Sequence, residues 1–324
     1  MVLVTLIFFI IGALAIRRLF MDWMFPDVSC PVFMGGKTAV VTGGSSGLGY
    51  EIVLALASRG CRVIIADKNS DEYIKDEVIN KTDNPNISIY HLDLSSFKSV
   101  REFADKLKRS VEKVDILFNN AGIGGSDDRL TEDGLNFVYQ INYYGGFLLT
   151  HLIVDLLKKS NSARILFTSS PASYFHDLRG FDKKQLTTGA SIHNYSSTKC
   201  LSIVCSDIFA DKLKKYNITS NAWHPIGATT PIFQRCLNET KGGGNIALVY
   251  LLWFGARILT PEPRRAVLRA VYLACAKEME GVTKGFFMPS GAARRPAIAL
   301  NENFCQEVWD LSEEAVQLKR EEKL

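Results

Sequence analysis

The chain has 324 residues, of which 47% are hydrophobic and 22% charged, and its net charge of +4 forms no basic stripe. This composition is typical of a globular protein and argues against nucleic-acid binding, which requires clustered lysine and arginine. The seven cysteines include no CxxC pair and the five histidines lack metal-ligand spacing, so we expect neither a disulfide framework nor a metal site.

The N-terminal segment, residues 1–25, differs from the rest of the chain. Val2 to Ile16 carry no charge, and Arg17 and Arg18 follow them. At ~1.5 Å per residue the uncharged stretch spans about 22 Å, short of a ~30 Å hydrocarbon layer. We predict a short uncleaved membrane anchor that leaves the following domain in the cytosol, because the positive charges flank its C-terminal side. A cleaved signal lacks the expected preceding lysine or arginine, and a buried or interfacial helix stays an alternative.

From Gly36 onward, short β-branched runs alternate with segments of helical length. The runs that predict buried strands cover 37–42, 61–66, 87–91, 114–118, 163–168, 218–224 and 284–288. The gaps between them hold predicted helices such as 50–58, 97–110, 134–158 and 196–215. This alternation predicts one α/β domain over residues 36–318 with a doubly wound parallel sheet of the Rossmann type. Ligands of such sheets bind at the carboxyl ends of the strands.

A glycine-rich turn, "TGGSSGLG" at 42–49, follows the first predicted strand. Glycines permit a tight turn and let backbone N–H groups approach a pyrophosphate at the start of the next helix. A plain strand-to-helix turn is the alternative, but the strand before and the helix after favour dinucleotide binding. The predicted cofactor contacts in this turn are Gly43, Ser45, Gly47, Leu48 and Gly49.

Carboxylates follow the second and third predicted strands. Asp67 could accept hydrogen bonds from an adenosine ribose and would repel a 2′-phosphate, which favours NAD as the cofactor. Lys68 could instead attract that phosphate, so NADP stays open. Asp93 and Leu94 follow the third strand and are predicted to contact the adenine. Asp93 or Ser95 could alternatively cap the next helix.

Three further motifs follow the fourth and fifth strands. "NNAG" at 119–122 offers small residues that let a cofactor pass close to the backbone, with Asn120, Ala121 and Gly122 as predicted contacts. "TSSP" at 168–171 carries two adjacent serines. "HNYSSTKC" at 193–200 then places Tyr195 and Lys199 one helical turn apart on the same face. A surface helix would explain that pair alone, but the order and strand-end placement of all these motifs favour a catalytic site.

Taken together, TGxxxGxG at 42–49, NNAG at 119–122, a serine at 170 and YxxxK at 195–199 resemble the short-chain dehydrogenase/reductase superfamily over about residues 36–290. The segments 133–157 and 309–318, with the N-terminal anchor, are similar to its membrane-anchored retinol dehydrogenase-like branch. The resemblance implies a catalytic tetrad and one further cofactor contact. These are Asn142, Ser170, Tyr195 and Lys199 for catalysis and Thr230 for the cofactor.

The chain departs from that branch at three places. Ile226 stands in "HPIGATT" where the branch commonly has a glycine, which predicts a reshaped loop near the nicotinamide. Asp67 and Lys68 stand where the branch often has an NADP-selecting arginine. "NYYGG" at 142–146 replaces a pattern with two histidines and keeps Asn142.

The chemistry of these residues fits alcohol oxidation. A free tyrosine, with a pKa near 10, is a poor base at neutral pH. A lysine cation and an oxidised nicotinamide near Tyr195 would lower that pKa. Lys199 could also hold the nicotinamide ribose, Ser170 could stabilise charge on the substrate oxygen, and Asn142 could hold a water on a proton path. The alternatives are an ST-turn for Ser170 and a structural amide for Asn142.

The predicted substrates are lipophilic. The apolar stretch 245–259 lies in a predicted substrate lid, 226–262, and could line a pocket or dip into the membrane interface, with an ordinary core helix as the alternative. With the anchor it predicts an oxidoreductase of retinoids, steroids or long-chain alcohols on the endoplasmic reticulum or lipid droplets, facing the cytosol. A sequon at Asn194, beside Tyr195, would be glycosylated in a lumenal protein and obstruct the site. A homodimer is left open, and the rival function is a catalytically idle nucleotide-binding or membrane-interaction protein.

Overall fold

The predicted parallel sheet is present. The computed structural model describes residues 2–28, 30–125, 127, 129–178, 191, 193–226 and 260–324, with only the backbone for 2–11 and 13. The strands are β1 (Thr38–Thr42), β2 (Arg62–Asp67), β3 (Ile87–His91), β4 (Ile116–Asn119), β5 (Ala163–Thr168), β6 (Ile218–Trp223), β7 (Phe286–Met288) and β8 (Gly291–Ala292). They pair in the order β3-β2-β1-β4-β5-β6-β7-β8, parallel except for β8 against β7. The predicted strands β1 to β7 are confirmed within two residues at each end. The short antiparallel β8 was not predicted.

Helices cover both faces of the sheet. They are α1 (Val2–Met24), α2 (Gly47–Ala57), α3 (Glu72–Thr82), α4 (Phe97–Ser110), α5 (Phe137–Tyr139), α6 (Gly145–Leu152), α7 (Val154–Lys158), α8 (Asn194–Leu213), α9 (Pro263–Ala266), α10 (Leu268–Cys275) and α11 (Glu302–Ala315). One buried cluster packs α4, α6, α8 and α11 against one face, and a second packs α2 and α10 against the other. Strands covered on both faces must be apolar along their whole length, which is why they read as continuous β-branched runs.

The predicted single helix over 134–158 is wrong. Gly134 has φ +78°, which a right-handed helix cannot include, and the Asn136 side chain caps α5 by accepting hydrogen bonds from the next amides. A π-helical turn at 140–144 then separates α5 from α6, and Ile153 interrupts the path into α7. The π turn contains Asn142, and such turns are frequently found at functional sites.

The sheet order places a crevice between β1 and β4. The chain leaves β1 in one direction through β2 and β3, and then returns to the other side of β1 with β4. The loops after these two strands therefore diverge at the carboxyl edge, where ligands of doubly wound sheets bind.

The helix α1 ends against the domain. The Arg265 guanidinium on α9 donates to the carbonyl oxygens of Phe25 and Met21 and pairs with Asp22 at 2.8 Å. Among the residues that the structure describes, no helix combines the length and the apolar character needed to cross a bilayer. The anchor over residues 1–25 stays a prediction.

Asp115, which precedes β4, links the start of β1 to the turn before β5 at the opposite edge of the sheet. Its side chain is almost fully buried, and its carboxylate accepts hydrogen bonds from Thr38 N at 2.9 Å, Ser160 Oγ at 2.7 Å and Lys37 Nζ at 3.2 Å. Burial alone would raise the pKa of Asp115, but the hydrogen bonds from Ser160, Thr38 and Lys37 outweigh it and lower that pKa.

Replacing Asp115 by asparagine is expected to cost about 2–3 kcal/mol of unfolding free energy at neutral pH, because charged hydrogen bonds are lost inside the protein. The folded-state pKa of Asp115 is lowered, so its contribution is complete above the unfolded carboxyl pKa near 4 and is lost as pH falls through the lower folded value. Urea unfolding at a series of pH values measures both effects. Asp105→Asn, at an exposed site on α4, is the control, and an equal acid dependence of both variants would contradict the assignment.

Candidate active site

A cavity of about 630 Å³ opens at the carboxyl edge of the sheet. Most of the predicted site residues line it, although they come from loops that are far apart in the chain. They are Gly43, Gly47, Leu48, Gly49, Asp67, Asp93, Leu94, Asn120, Ala121, Gly122, Ser170, Tyr195 and Lys199. Ser45 and Asn142 contact the walls of this cavity from behind, as described below. Thr230 and most of the predicted lid lie outside the described residues.

The glycine turn forms one end of the cavity. Gly43 and Gly47 have φ values of +66° and +56°, which glycine adopts without strain. A Cβ on Gly49 would lie 2.0 Å from the carbonyl oxygen of Gly43, so this position admits no side chain. No side chain caps the start of α2, whose N-cap residue Ser46 also lines the cavity. Uncapped amides beside glycines that expose the backbone suit a pyrophosphate.

Asp67 and Lys68 face different partners. The Asp67 carboxylate accepts hydrogen bonds from Ser45 N and Asn69 N, both at 3.0 Å, so the predicted contact Ser45 supports Asp67 through its amide. Lys68 Nζ pairs with Asp93 Oδ2 at 2.7 Å. Partial burial would raise the pKa of Asp93, but Lys68 and hydrogen bonds from Ser95 outweigh it and lower that pKa. The Lys68 charge at this end of the cavity is therefore balanced within the protein.

The alternative role of Asp93 or Ser95 as a helix cap is wrong. Ser96 is the N-cap residue of α4, and its hydroxyl accepts the Ser99 amide at 3.4 Å. Asp93 instead accepts from the Ser95 amide at 2.9 Å, which closes a small turn before the helix begins.

Hydrogen bonds from Asn120 and Ala121 to Thr42 hold the "NNAG" loop in place. Asn120 Nδ2 donates to Thr42 O at 3.0 Å, and Asn120 N and Ala121 N donate to Thr42 Oγ1 at 2.9 and 3.0 Å. Thr168 Oγ1 reaches Asn120 Oδ1 at 3.4 Å. Asn120 thus bridges β1, β4 and β5, as expected for an amide between neighbouring strands.

Tyr195 and Lys199 share one face of α8, which begins at Asn194. Lys199 Nζ lies 5.7 Å from the centroid of the Tyr195 ring and donates to Thr168 O at 3.0 Å. Only 4% of Lys199 is exposed, and burial lowers its pKa to about 8. The amine is therefore still mainly protonated at neutral pH, and it places a positive charge beside the phenol inside the cavity.

The two serines after β5 have different surroundings. Ser169 is buried, and its hydroxyl donates to the carbonyl oxygen of Lys199 at 2.7 Å. Ser170 caps the 3-10 turn Pro171–Phe175, and its Oγ accepts the Ala172 amide at 3.2 Å. The predicted ST-turn is therefore present at Ser170. This bond holds the hydroxyl at the cavity wall and leaves its proton available for donation.

Asn142 supports the loop that follows "NNAG". Its Oδ1 accepts the Ile123 amide at 2.7 Å, and its Nδ2 donates to Ile123 O at 2.9 Å and to Thr198 Oγ1 at 3.3 Å. A Cβ on Gly122 would approach both Lys199 Nζ and Asn142 Oδ1 within about 3.2 Å. The Asn142 side chain therefore has the structural role given above as the alternative. Its role in holding a water on a proton path stays a prediction.

Several cavity residues were not predicted from the sequence as site residues. They are Ser46, Ala66, Lys68, Leu92, Ile123, Ile141, Thr168, Ser169, Pro171, Pro225, Ile226 and Thr260. Most of them lie next to a motif or at the end of a predicted strand, so their position in the sequence could have identified them as residues of the carboxyl edge. Thr260 lies in the predicted substrate lid, 226–262, whereas Ile141 carried no such signal, because only the folding of distant segments brings it to the cavity.

Comparison with known proteins agrees with this geometry. Residues 37–241 match the family described as short chain dehydrogenase. Retinol dehydrogenase 13 of Mus musculus is 33% identical over 90% of this chain and 87% of its own length. Polyprenol dehydrogenase of Homo sapiens is 29% identical over 85% of this chain and 84% of its own length.

A solved structure shows the same fold. L-Sorbose reductase from Gluconobacter frateurii, complexed with NADPH and L-sorbose, superposes with a TM-score of 0.65 at 20% identity, covering 81% of this chain and 98% of the other. The family match and the relatives also establish the type of enzyme: this chain is a nicotinamide-dependent oxidoreductase, and it belongs to the short chain dehydrogenase family.

Proposed function

We propose that this protein is a membrane-associated oxidoreductase that uses NAD to interconvert lipophilic alcohols and carbonyl compounds. The observation that carries the proposal is the convergence of Tyr195, Lys199 and Ser170 in one cavity that begins at the glycine turn. The residues present fit the cofactor, because Gly43, Gly47 and Gly49 leave the backbone of the turn open beside the uncapped start of α2, where a pyrophosphate would lie. Lys199 and Tyr195 would hold its nicotinamide half. When bound, the nicotinamide supplies the hydride acceptor for alcohol oxidation.

The chain's own residues handle the proton. Tyr195, as the phenolate, would take the proton of the substrate hydroxyl during alcohol oxidation. The buried Lys199 ammonium stabilises the phenolate, since opposite charges attract strongly away from bulk water. The Ser170 hydroxyl would donate a hydrogen bond to the substrate oxygen, on which negative charge develops. In the reducing direction each transfer runs backwards.

The apolar character of the cavity supports lipophilic substrates. Apart from the residues assigned to the dinucleotide, its wall includes aliphatic side chains and prolines, namely Ile123, Ile141, Pro171, Pro225 and Ile226. Apolar walls with a few placed polar groups select apolar ligands and orient them. Two of the relatives carry the names of apolar alcohols, retinol and polyprenol. We propose retinoids, steroids or long-chain alcohols as the substrate class.

A cytosolic position on a membrane fits the N-terminal segment. Leu14, Ile16, Leu19 and Trp23 of α1 are exposed, which suits contact with lipid. Asn194, the sequon residue beside Tyr195, is only 1% exposed and leaves no room for a glycan in the folded protein. We propose that the protein lies on the endoplasmic reticulum or lipid droplets with the cavity on the cytosolic side.

The direct test is cofactor reduction by the purified full-length protein in detergent or vesicles. Retinol, a sterol, long-chain alcohols and a short polar alcohol would each be supplied with NAD⁺ or NADP⁺. We expect NAD⁺ reduction with the apolar alcohols and little with the polar one. The contrary result is a protein that binds the dinucleotide without reducing it with any alcohol and without oxidising it with any matching carbonyl compound. That result would favour the rival function, a catalytically idle nucleotide-binding or membrane-interaction protein.

The preference for NAD has its own test at Asp67 and Asp93. Asp67→Asn removes the carboxylate that would repel a 2′-phosphate, and Asp93→Asn releases Lys68 from its ion pair so that Lys68 can attract one. Each change is expected to raise kcat/KM for NADP relative to NAD by about tenfold, equivalent to about 1.4 kcal/mol. Asp76→Asn removes the same charge from an exposed site on α3 and is the control. An unchanged ratio in both variants would exclude this account of cofactor choice.

A further inference from the structure

Ile226 has a backbone conformation that is unusual for its residue type. Among the described residues, the non-glycine residues with positive φ are Asp83, Asn217, Lys284, Gln317 and Ile226. The first four are polar or charged residues in turns or at helix ends. Ile226, at φ +64°, is β-branched, and the left-handed region is a true outlier for such residues.

The residues before Ile226 hold it in this conformation. His224 follows β6, and its amide donates to Phe287 O at 2.9 Å while its buried ring packs 5.2 Å from the Phe286 ring. His224 Nδ1 accepts the Ile226 amide at 3.2 Å. Burial lowers the pKa of His224 to about 4, so the ring is neutral at pH 7 and keeps a lone pair for this bond. The ring of Pro225 restricts the backbone between them.

The strain has a location that suggests its use. Ile226 lines the same cavity as Tyr195 and Ser170, and so does its neighbour Pro225. Glycine would adopt this φ without strain, whereas isoleucine adopts it at a cost in backbone energy. Strain that the surroundings impose at a ligand cavity points to a function at that cavity.

We propose that Ile226 is a specificity-determining residue whose side chain forms an apolar wall for the carbon chain of the alcohol or carbonyl substrate. This inference rests on the proposed function and deepens it. The left-handed backbone directs a branched aliphatic group to the cavity, where it excludes water from the substrate. Substrates with longer apolar chains therefore bind more tightly.

Two variants separate the side chain from the backbone. Ile226→Ala removes the wall and keeps a strained backbone, whereas Ile226→Gly removes the wall and relieves the strain. With a long-chain alcohol both are expected to raise KM about tenfold, the range observed when an apolar pocket loses contact with a few methylene groups. The KM for the dinucleotide should change much less than the KM for the alcohol in either variant, because the glycine turn and Lys199 are retained. In thermal unfolding, Ile226→Gly is expected to melt at a higher temperature than Ile226→Ala.

Gln317→Gly is the matched control, because Gln317 also has positive φ (52°) but does not line the cavity. It should gain thermal stability without a change in either KM. The inference is overturned if the two Ile226 variants keep the wild-type KM for the alcohol, or if only the KM for the dinucleotide rises.

Failure of the proposed function would look different. In that case the wild type itself would be inert with every alcohol and both dinucleotides. Calorimetric titration of the long-chain alcohol into the protein with NAD⁺ present then tests the wall without turnover. Weaker binding to both Ile226 variants than to wild type supports the inference, and equal binding, or none to wild type, overturns it.

Discussion

Tyr195→Phe is expected to lower kcat for alcohol oxidation by roughly 10²- to 10⁴-fold, the usual contribution of a positioned general base. The substitution removes only the hydroxyl oxygen, so the ring that lies 5.7 Å from Lys199 Nζ is retained. Lys199 and the glycine turn still hold the dinucleotide, so its affinity should fall by much less than kcat. Stopped-flow measurement of cofactor reduction, together with a dinucleotide binding titration, separates the chemical step from binding.

Tyr216→Phe, in the turn after α8, makes the same substitution away from the cavity and is the control. Its kinetics should match wild type. If Tyr195→Phe keeps wild-type kcat while the control behaves as expected, the proton acceptor must be another group in the cavity. If both wild type and Tyr195→Phe are inert, the hypothesis that this cavity is an active site loses support. The rival function, a catalytically idle nucleotide-binding or membrane-interaction protein, then gains support.

Gly49→Ala is expected to weaken dinucleotide binding by at least about 10²-fold, about 2.7 kcal/mol, and to lower the melting temperature. A Cβ there would lie 2.0 Å from the carbonyl oxygen of Gly43 and 2.7 Å from Asn120 Nδ2. Both are held in place, since Asn120 bridges β1 and β4 and the Gly43 amide donates to Ala66 O at 2.9 Å. The turn must therefore move, and the cradle for the pyrophosphate moves with it.

Gly281→Ala is the matched control for this prediction. Gly281 has φ +73° and no atom within 4 Å of an added Cβ, so alanine there adds backbone strain of about 1 kcal/mol without a steric clash. Dinucleotide affinity should stay at the wild-type value. If Gly49→Ala also binds the dinucleotide with wild-type affinity and has the same melting temperature as Gly281→Ala, the tight approach of α2 to the turn is not needed for binding.

The cost of burying Lys199 bears on both results. Its ammonium is almost fully enclosed and has a backbone carbonyl, Thr168 O, as its hydrogen-bond acceptor, and its pKa is lowered to about 8 by burial. Within the described part of the chain no carboxylate pairs with it, and burial of a charge without such a partner destabilises the fold. Bound negative or electron-rich groups, such as a ribose hydroxyl pair and a phenolate, would offset that cost. The position therefore fits a residue that works on a ligand.

Much of the architecture could be predicted from the sequence because it depends on local patterns. Continuous β-branched runs such as 163–168 identify strands buried on both faces, and the helical spacing between them implies parallel pairing. Strand ends then locate the site without coordinates, since parallel strands bring their carboxyl ends to one edge. Gly43, Asp67, Ser170 and Tyr195 were predicted from that rule and from the resemblance, and all of them line the cavity.

Contacts between distant segments were decided only by the tertiary structure. The pairing of Lys68 with Asp93 depends on how the loops after β2 and β3 meet, and no local pattern distinguishes it from a free lysine. The clamp of Asn142 on Ile123 requires the π turn, which the helical periodicity of 134–158 concealed. The φ of Ile226 likewise arises from the packing of the preceding residues against β7, because isolated isoleucine avoids that conformation. Local composition thus determined the elements and their order, whereas charge pairing, strain and side-chain partners arose where the elements pack together.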